Sequence, residues 1–106
     1  MTVKELTAKI EQVSQDYEQT HNITRTADWY LLKLHEELGE LTQAYLQLNG
    51  QARDKGFTEE QLRTKLTEEI ADVFSHILLF AHNNNVNLLE ALDKKWFKFL
   101  PTNNQE

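Results

Sequence analysis

The stretch from residue 30 to residue 48, YLLKLHEELGELTQAYLQL, decides the fold class. Its apolar residues recur three or four positions apart, the spacing that places side chains on one face of an α-helix. They are Leu31, Leu34, Leu38, Leu41, Tyr45 and Leu48. A later stretch repeats this pattern with Leu62, Leu66, Ile70, Val73, Ile77 and Phe80. We therefore predict two long amphipathic helices whose apolar stripes both face the core.

Helix-start signals extend this prediction to the whole chain. Thr2 and Thr58 each precede a Glu or Gln by three residues, which is the capping-box pattern, and Thr24 or Thr26 can cap the helix between them. Asn87 with Glu90 is a looser N-cap. We predict helices over about 3–20, 25–49, 59–83 and 88–99, with Gly50 and Pro101 as stop signals.

Composition agrees with an all-α fold. Three Gly and one Pro among 106 residues leave few of the turn signals that a sheet protein needs. We predict one domain over residues 1–106, a four-helix bundle with a polar tail from about residue 101. Residues 73–81 are apolar almost all round the helix, and a chain this small buries a limited core, so we expect self-association, with this segment at the centre of the bundle or of a dimer.

Charge and residue usage exclude several classes of function. Seventeen acidic and eleven basic residues give a net charge of −6, which argues against binding to nucleic acid polymers or to a membrane surface. The chain has no Cys, so a disulfide framework and a thiolate zinc site are both excluded. The first residues do not resemble a signal peptide, and we expect a cytoplasmic protein.

An acidic edge lies beside each apolar stripe. At about 100° per residue, Glu37 and Glu69 fall about 60° to one side of their stripes, and Glu40 and Asp72 fall about 120° to the same side. Facing helices could therefore bring four carboxylates together, and their mutual repulsion would call for a divalent cation. All-oxygen ligands favour Mg²⁺, with Mn²⁺ as a substitute, and the open positions of such an ion suit a substrate phosphate. Acidic pairs on solvated helix faces are the common alternative.

At these residues the sequence resembles the MazG-like family of all-α nucleoside triphosphate pyrophosphohydrolases. The family signature, E-E-x-x-E followed by E-x-x-D, matches residues 36–40 and 69–72, and the resemblance extends over about residues 26–98. It implies Mg²⁺-dependent cleavage of a nucleoside triphosphate between the α and β phosphates, which gives a nucleoside monophosphate and pyrophosphate. It also implies a dimer or tetramer.

The resemblance assigns roles to individual residues. The metal ligands would be Glu37, Glu40, Glu69 and Asp72. Glu36 and Glu37 are the candidate catalytic residues, and Glu36 would orient or deprotonate the attacking water, although its position about 160° from the stripe also suits a solvated side chain.

The substrate side of the site is less well matched. The family's Lys, Asn and Arg on the last helix have only Lys94 and Lys95 as candidates here, and Phe99 and Leu100 stand where the Asn and Arg belong. Lys94 and Lys95 could bind a phosphate or interact only with the helix dipole.

Three other side chains are candidates for contact with the substrate. His76, one turn after Asp72, could bind a phosphate or be a satisfied core histidine. Trp29 and Trp96 could stack on a base, or simply pack.

Two rival hypotheses compete with the hydrolase. A di-iron carboxylate protein needs Glu-x-x-His on two helices, and no Glu here has a His three residues later. A non-catalytic helical dimer, acting as an adaptor or regulator with a vestigial metal site, would carry the same stripes. Neither rival would release pyrophosphate from a nucleotide.

Overall fold

The computed structural model of the protein describes residues 1–101, and the predicted polar tail from residue 102 onward lies outside them. The described chain forms four α-helices and one 3₁₀ turn, and residues 1–101 contain no strand. The elements are α1 (Val3–His21), α2 (Ala27–Leu48), α3 (Glu59–Asn83), α4 (Leu88–Lys95) and the turn Phe97–Phe99. The all-helical fold is therefore confirmed, and its arrangement is compatible with a helical bundle.

The predicted caps begin the helices. Thr2 and Thr58 both form complete capping boxes, with Glu5 and Gln61 as their partners. Thr26, rather than Thr24, caps α2, because its hydroxyl accepts a hydrogen bond from the Trp29 amide. The side chain of Asn87 caps α4. Each cap satisfies backbone N–H groups that have no partner within their helix.

The last helix is shorter than predicted. It ends at Lys95, and residues 97–99 tighten into a 3₁₀ turn instead of continuing to Phe99 as α-helix. Pro101 disfavours a helical backbone at the preceding residue and has no N–H to donate to the carbonyl of Phe97, so the chain does not return to α-helix after this turn. Leu100 accordingly has an extended backbone, with φ −74° and ψ 142°.

Helices α2 and α3 pack side by side and antiparallel. Three contacts fix their register: Gln47 with Lys65, Glu37 with the pair Glu69 and Asp72, and Trp29 with His76. The contact lines follow spacings of seven residues, 30–37–44 on α2 and 62–69–76 on α3. Tyr30, Glu37 and Ala44 are all buried, and Leu62 is buried opposite them. A glutamate therefore occupies the middle of each buried line.

The prediction that both apolar stripes face the core of one chain is wrong for about half of their residues. On each helix, one side of the stripe is largely exposed. The residues there lie about 20–60° around the helix axis from the middle of the stripe, on the side away from the glutamates, and have exposed fractions of 40–54%; they are Leu31, Leu38, Tyr45, Ile70 and Ile77. The buried residues of α2 are Tyr30, Glu37, Ala44 and Gln47, so its buried face is rotated from the Leu stripe toward the acidic edge. An apolar face thus remains on the outside of the helix pair.

Helix α1 packs against α3 and is anchored to the start of α2 by Arg25. The guanidinium donates two hydrogen bonds to Glu11, at 2.8 and 2.9 Å, and further ones to Ser14 and Glu18. It also lies 5.5 Å from the centroid of the Tyr30 ring. None of the helices within residues 1–101 combines the length and the apolar character needed to cross a bilayer.

Candidate metal centre

The four predicted carboxylates meet where α2 and α3 face one another. One oxygen from each of Glu37, Glu69 and Asp72 lies within 4.8 Å of the other two. In a second group, one oxygen from each of Glu36, Glu37 and Glu40 also lies within 4.8 Å of the other two. Glu37 belongs to both groups, and its exposed fraction is 7%. Glu69 is half-buried, whereas Glu40 and Asp72 are exposed.

Burial and neighbouring negative charge raise the pKa of two of the carboxylates. The pKa of Glu37 rises from 4.5 to about 7, chiefly because the group is buried and also because of the charges of Glu40 and Asp72. Burial and the same two charges raise the pKa of Glu69. The ionised form of these carboxylates is therefore unfavourable at this position. A bound cation would stabilise it by compensating the charge.

The residues fit a hard divalent cation. Oxygen Oε2 of Glu69 is buried and has no hydrogen-bond partner among the described residues. Ligand oxygens around an octahedral Mg²⁺ at about 2.1 Å lie about 3 to 4 Å apart, so the observed spacing needs only small side-chain movements to close on the ion. The donor set is entirely carboxylate, which suits Mg²⁺ or Mn²⁺ rather than softer metals.

Glu36 faces solvent and is paired with Lys33. The ammonium nitrogen lies 2.7 Å from Oε1 of Glu36, and this hydrogen bond and its charge lower the pKa of Glu36. Glu36 still has an oxygen in the group with Glu37 and Glu40. Lys33 donates this hydrogen bond to Glu36 and not to Glu37, which lies one turn after it on the same helix.

A groove of about 550 Å³ runs from the carboxylates under α1. Glu37 and Asp72 line one part of it, and His76 and Trp29 line the part toward the start of α2. The structure therefore brings these two predicted substrate contacts to the acidic residues. The complete lining is Lys9, Ile10, Val13, Ser14, Tyr17, Trp29, Lys33, Glu37, Asp72, Ser75, His76 and Leu79.

His76 is not the satisfied core histidine that was the alternative interpretation. Its Nδ1 atom is buried without a hydrogen-bond partner in the described part of the chain. Burial, followed by the charge of Lys33, lowers its pKa. The ring packs edge-on against Trp29, with 6.0 Å between the ring centroids. A neutral imidazole with a free nitrogen at the groove can hydrogen-bond a ligand.

The other substrate-contact candidates lie elsewhere in a single chain. Lys94, Lys95 and Trp96 are on or just after α4, no residue of which lines the groove. Lys94 pairs with Glu90 of its own helix at 3.3 Å. Within one protomer, therefore, the structure does not join these residues to the carboxylates.

Sequence reasoning missed the contribution of α1. Lys9, Ser14 and Tyr17 line the groove beside the acidic site. Tyr17 belongs to the recognisable apolar stripe of α1, but no local pattern says which neighbour that stripe faces. Gln47 and Lys65 were also missed, because the buried contact between them joins residues 18 positions apart.

Comparisons of this chain with protein-family models, with curated proteins and with solved structures found no match. The interpretation of the site therefore rests on its residues and their geometry.

Proposed function

We propose that this protein is a Mg²⁺-dependent nucleoside triphosphate pyrophosphohydrolase with a MazG-type fold, acting in the cytoplasm as a homo-oligomer. The observation that carries the proposal is the cluster of Glu37, Glu69 and Asp72, whose oxygens lie within 4.8 Å of one another beside a groove lined with aromatic and basic side chains. The matching E-E-x-x-E and E-x-x-D motifs support it independently.

The carboxylates of Glu37, Glu40, Glu69 and Asp72 would hold the ion. A bound Mg²⁺ neutralises them and supplies charge stabilisation to the phosphates as the anhydride breaks. Without such neutralisation, the acidic edge would repel a polyphosphate. Mn²⁺ has the same ligand preference and would serve as a substitute.

The proton acceptor would be Glu36 or Glu37. Water adds to one phosphorus of the α–β anhydride, its proton passes to a carboxylate, and the bridging oxygen leaves with the other phosphate. Lys33 lowers the pKa of Glu36, which keeps this carboxylate ionised but makes it a weaker base, so it is better suited to orienting the water than to accepting its proton. Lys33, His76 and Lys9, which line the groove, would contact oxygens of the phosphate nearest the nucleoside, and Trp29 would stack on the base.

The test is a screen of common and modified nucleoside triphosphates with Mg²⁺, in which monophosphate and pyrophosphate are both measured. Glu40→Gln and Asp72→Asn should each lower kcat/KM by about 100-fold or more, since each removes a charge that holds the ion. Glu60→Gln, an exposed residue of the first turn of α3, is the control and should retain full activity.

Two results would refute the assignment. The first is no product from any triphosphate, and the second is full activity in the Glu40→Gln and Asp72→Asn proteins. Release of inorganic phosphate alone would show that a different bond is cut.

The alternative is a non-catalytic helical dimer that acts as an adaptor or regulator. It is favoured by the exposed apolar face of α2 and α3, which is typical of an interaction surface. The same screen separates the two, because an adaptor with a vestigial site releases no pyrophosphate.

A further inference from the structure

The groups that could contact a substrate follow one another in a fixed order along the α2–α3 pair. The contact of Gln47 with Lys65 lies at one end, the carboxylates lie in the middle, and Trp29 with His76 lies toward the other end. The antiparallel register of the two helices sets this order. The two ends differ sharply in chemistry.

The Lys65 end is basic and constrained. The Lys65 ammonium donates a hydrogen bond of 3.1 Å to Oε1 of Gln47 and lies 5.7 Å from the centroid of the Phe57 ring. The exposed fraction of Gln47 is 2%, and its Nε2 atom has no hydrogen-bond partner in the described chain. Gln47 therefore holds the Lys65 ammonium from a buried position and does not itself reach a ligand at the surface.

Lys65 also lies one turn before Glu69. Residues four apart on a helix are surface neighbours, at about 6 Å between Cβ atoms. The ammonium can therefore reach an anion that bridges toward it from the carboxylate cluster, in the way that lysine commonly binds phosphate.

The opposite end is aromatic and lies partly open to solvent under α1. Trp29 and Tyr17 line the groove there, under α1, whereas neither Lys65 nor Gln47 lines it. His76 packs on Trp29 and leaves Nδ1 free. Aromatic faces with a free polar group are suited to a planar base, which every nucleotide presents.

We infer that the substrate binds in one direction along this order, with its nucleoside under α1 against Trp29 and Tyr17 and its leaving pyrophosphate toward Lys65 and Gln47. This inference rests on the proposed function, because it assigns the two halves of that substrate to the two ends of that site. Lys65 is the pyrophosphate-binding residue, and Gln47 positions it.

The two products test the orientation separately. Binding of Mg²⁺-pyrophosphate and of nucleoside monophosphate is measured by calorimetry, and the monophosphate is the tightest binder from a panel of the common ribo- and deoxyribonucleotides. Lys65→Met should raise the Kd for pyrophosphate about tenfold or more and leave that for the monophosphate within twofold. Trp29→Leu and Tyr17→Leu should each raise the Kd for the monophosphate about tenfold, because the base loses a stacking partner, and should leave the Kd for pyrophosphate within twofold.

Controls distinguish these effects from misfolding. Lys4→Met removes an exposed lysine of α1 and should change neither affinity. Lys65→Arg should restore much of the pyrophosphate affinity. Tyr17 is 46% exposed, so its replacement should leave the thermal unfolding temperature nearly unchanged and give a folded protein for the nucleoside end.

The outcomes are separable from those of the activity screen. The inferred orientation is overturned if Lys65→Met weakens both products equally, if the effects are exchanged between the two ends, or if the wild-type protein binds neither product. If the wild type binds both products with the expected pattern but cleaves no triphosphate, the proposed hydrolysis fails and the orientation stands.

Discussion

Glu37 is a carboxylate that is buried between two helices and also lies close to other carboxylates. It is 7% exposed at the centre of the contact between α2 and α3, and it belongs to both groups of carboxylates. An ionised carboxylate in that position is stable only if another charge compensates it. In the absence of a cation the compensation is a proton, which accounts for its pKa of about 7.

Glu37 should therefore make the metal-free protein less stable as pH rises. Its pKa is 4.5 when unfolded and about 7 when folded, so the folded state alone holds the proton between these values. Raising pH through this window lowers the free energy of unfolding, by on the order of 3 kcal/mol in all. Urea unfolding with chelator at pH 5 and pH 8 measures the loss, and Glu37→Gln should reduce it, while Glu69, whose pKa is also raised, continues to contribute in the same direction.

The variant is needed because His76 acts in the opposite direction. Its pKa is lowered in the folded state, so its contribution to stability increases as pH rises. The difference between the wild type and Glu37→Gln isolates the carboxyl group. Mg²⁺ should stabilise the wild type more at pH 8 than at pH 5. The same pH dependence in both proteins would contradict the assigned pKa.

At the level of single residues, the sequence could predict the carboxylates but not their neighbours. Glu37, Glu40, Glu69 and Asp72 follow from helical phase alone, because their positions depend only on the geometry of their own helices. Lys65 depends on the register of two packed helices. That register depends on how α2 and α3 pack together, which no local pattern specifies.

Among the elements, α1 is joined to the start of α2 by the hydrogen bonds of Arg25. The Arg25 side chain is 9% exposed and its main partner, Glu11, is 17% exposed, so the ion pair is largely removed from solvent. Arg25→Met should cost on the order of 3 kcal/mol of unfolding free energy, because it leaves a largely buried Glu11 carboxylate without its partner. Urea unfolding measures this loss.

The groove should respond to the same change. In the Arg25→Met protein, α1 is less firmly attached, so its amide protons should exchange faster with solvent. The affinity for the monophosphate should fall as well. Glu18→Gln is the milder control, since the Glu18 side chain is 30% exposed and Arg25 keeps Glu11 as its partner. Unchanged stability and exchange in Arg25→Met would show that apolar contacts alone hold α1.

Helix starts were predictable and the last helix end was not, for a physical reason. A cap such as Thr58 depends on a side chain that bonds to a backbone N–H three residues away, so the sequence contains the whole interaction. The end of α4 depends on Pro101, six residues beyond Lys95, and on how far the 3₁₀ turn tightens before it.

A single chain of this protein is less compact than a folded monomer of the same length. Its radius of gyration is 17.4 Å, whereas a compact chain of this length has about 13 Å. Its surface is 8183 Å², about 2,000 Å² more than the roughly 6,200 Å² expected for a folded monomer of its mass. The helical stripes were predictable from spacing, but apolar periodicity cannot distinguish a face buried within one chain from a face buried by a second copy.

The outer face of α2 and α3 is therefore expected to be the contact between two copies. Tyr45, at 54% exposure, belongs to this face near the end of α2, and Tyr45→Lys would place a charge there without disturbing the helix. A buried unpaired charge costs several kcal/mol, so the dimer dissociation constant should rise by about 100-fold or more. Sedimentation velocity over a range of concentrations measures it.

Leu32→Lys is the matched control, because Leu32 is 66% exposed on the opposite side of α2. It should leave the dissociation constant unchanged. The contact would be refuted by an unchanged dissociation constant in Tyr45→Lys, or by a wild-type protein that sediments as a monomer at every concentration. If the contact is correct, Tyr45→Lys should also unfold at a lower temperature, because the separated chain exposes its apolar face to water.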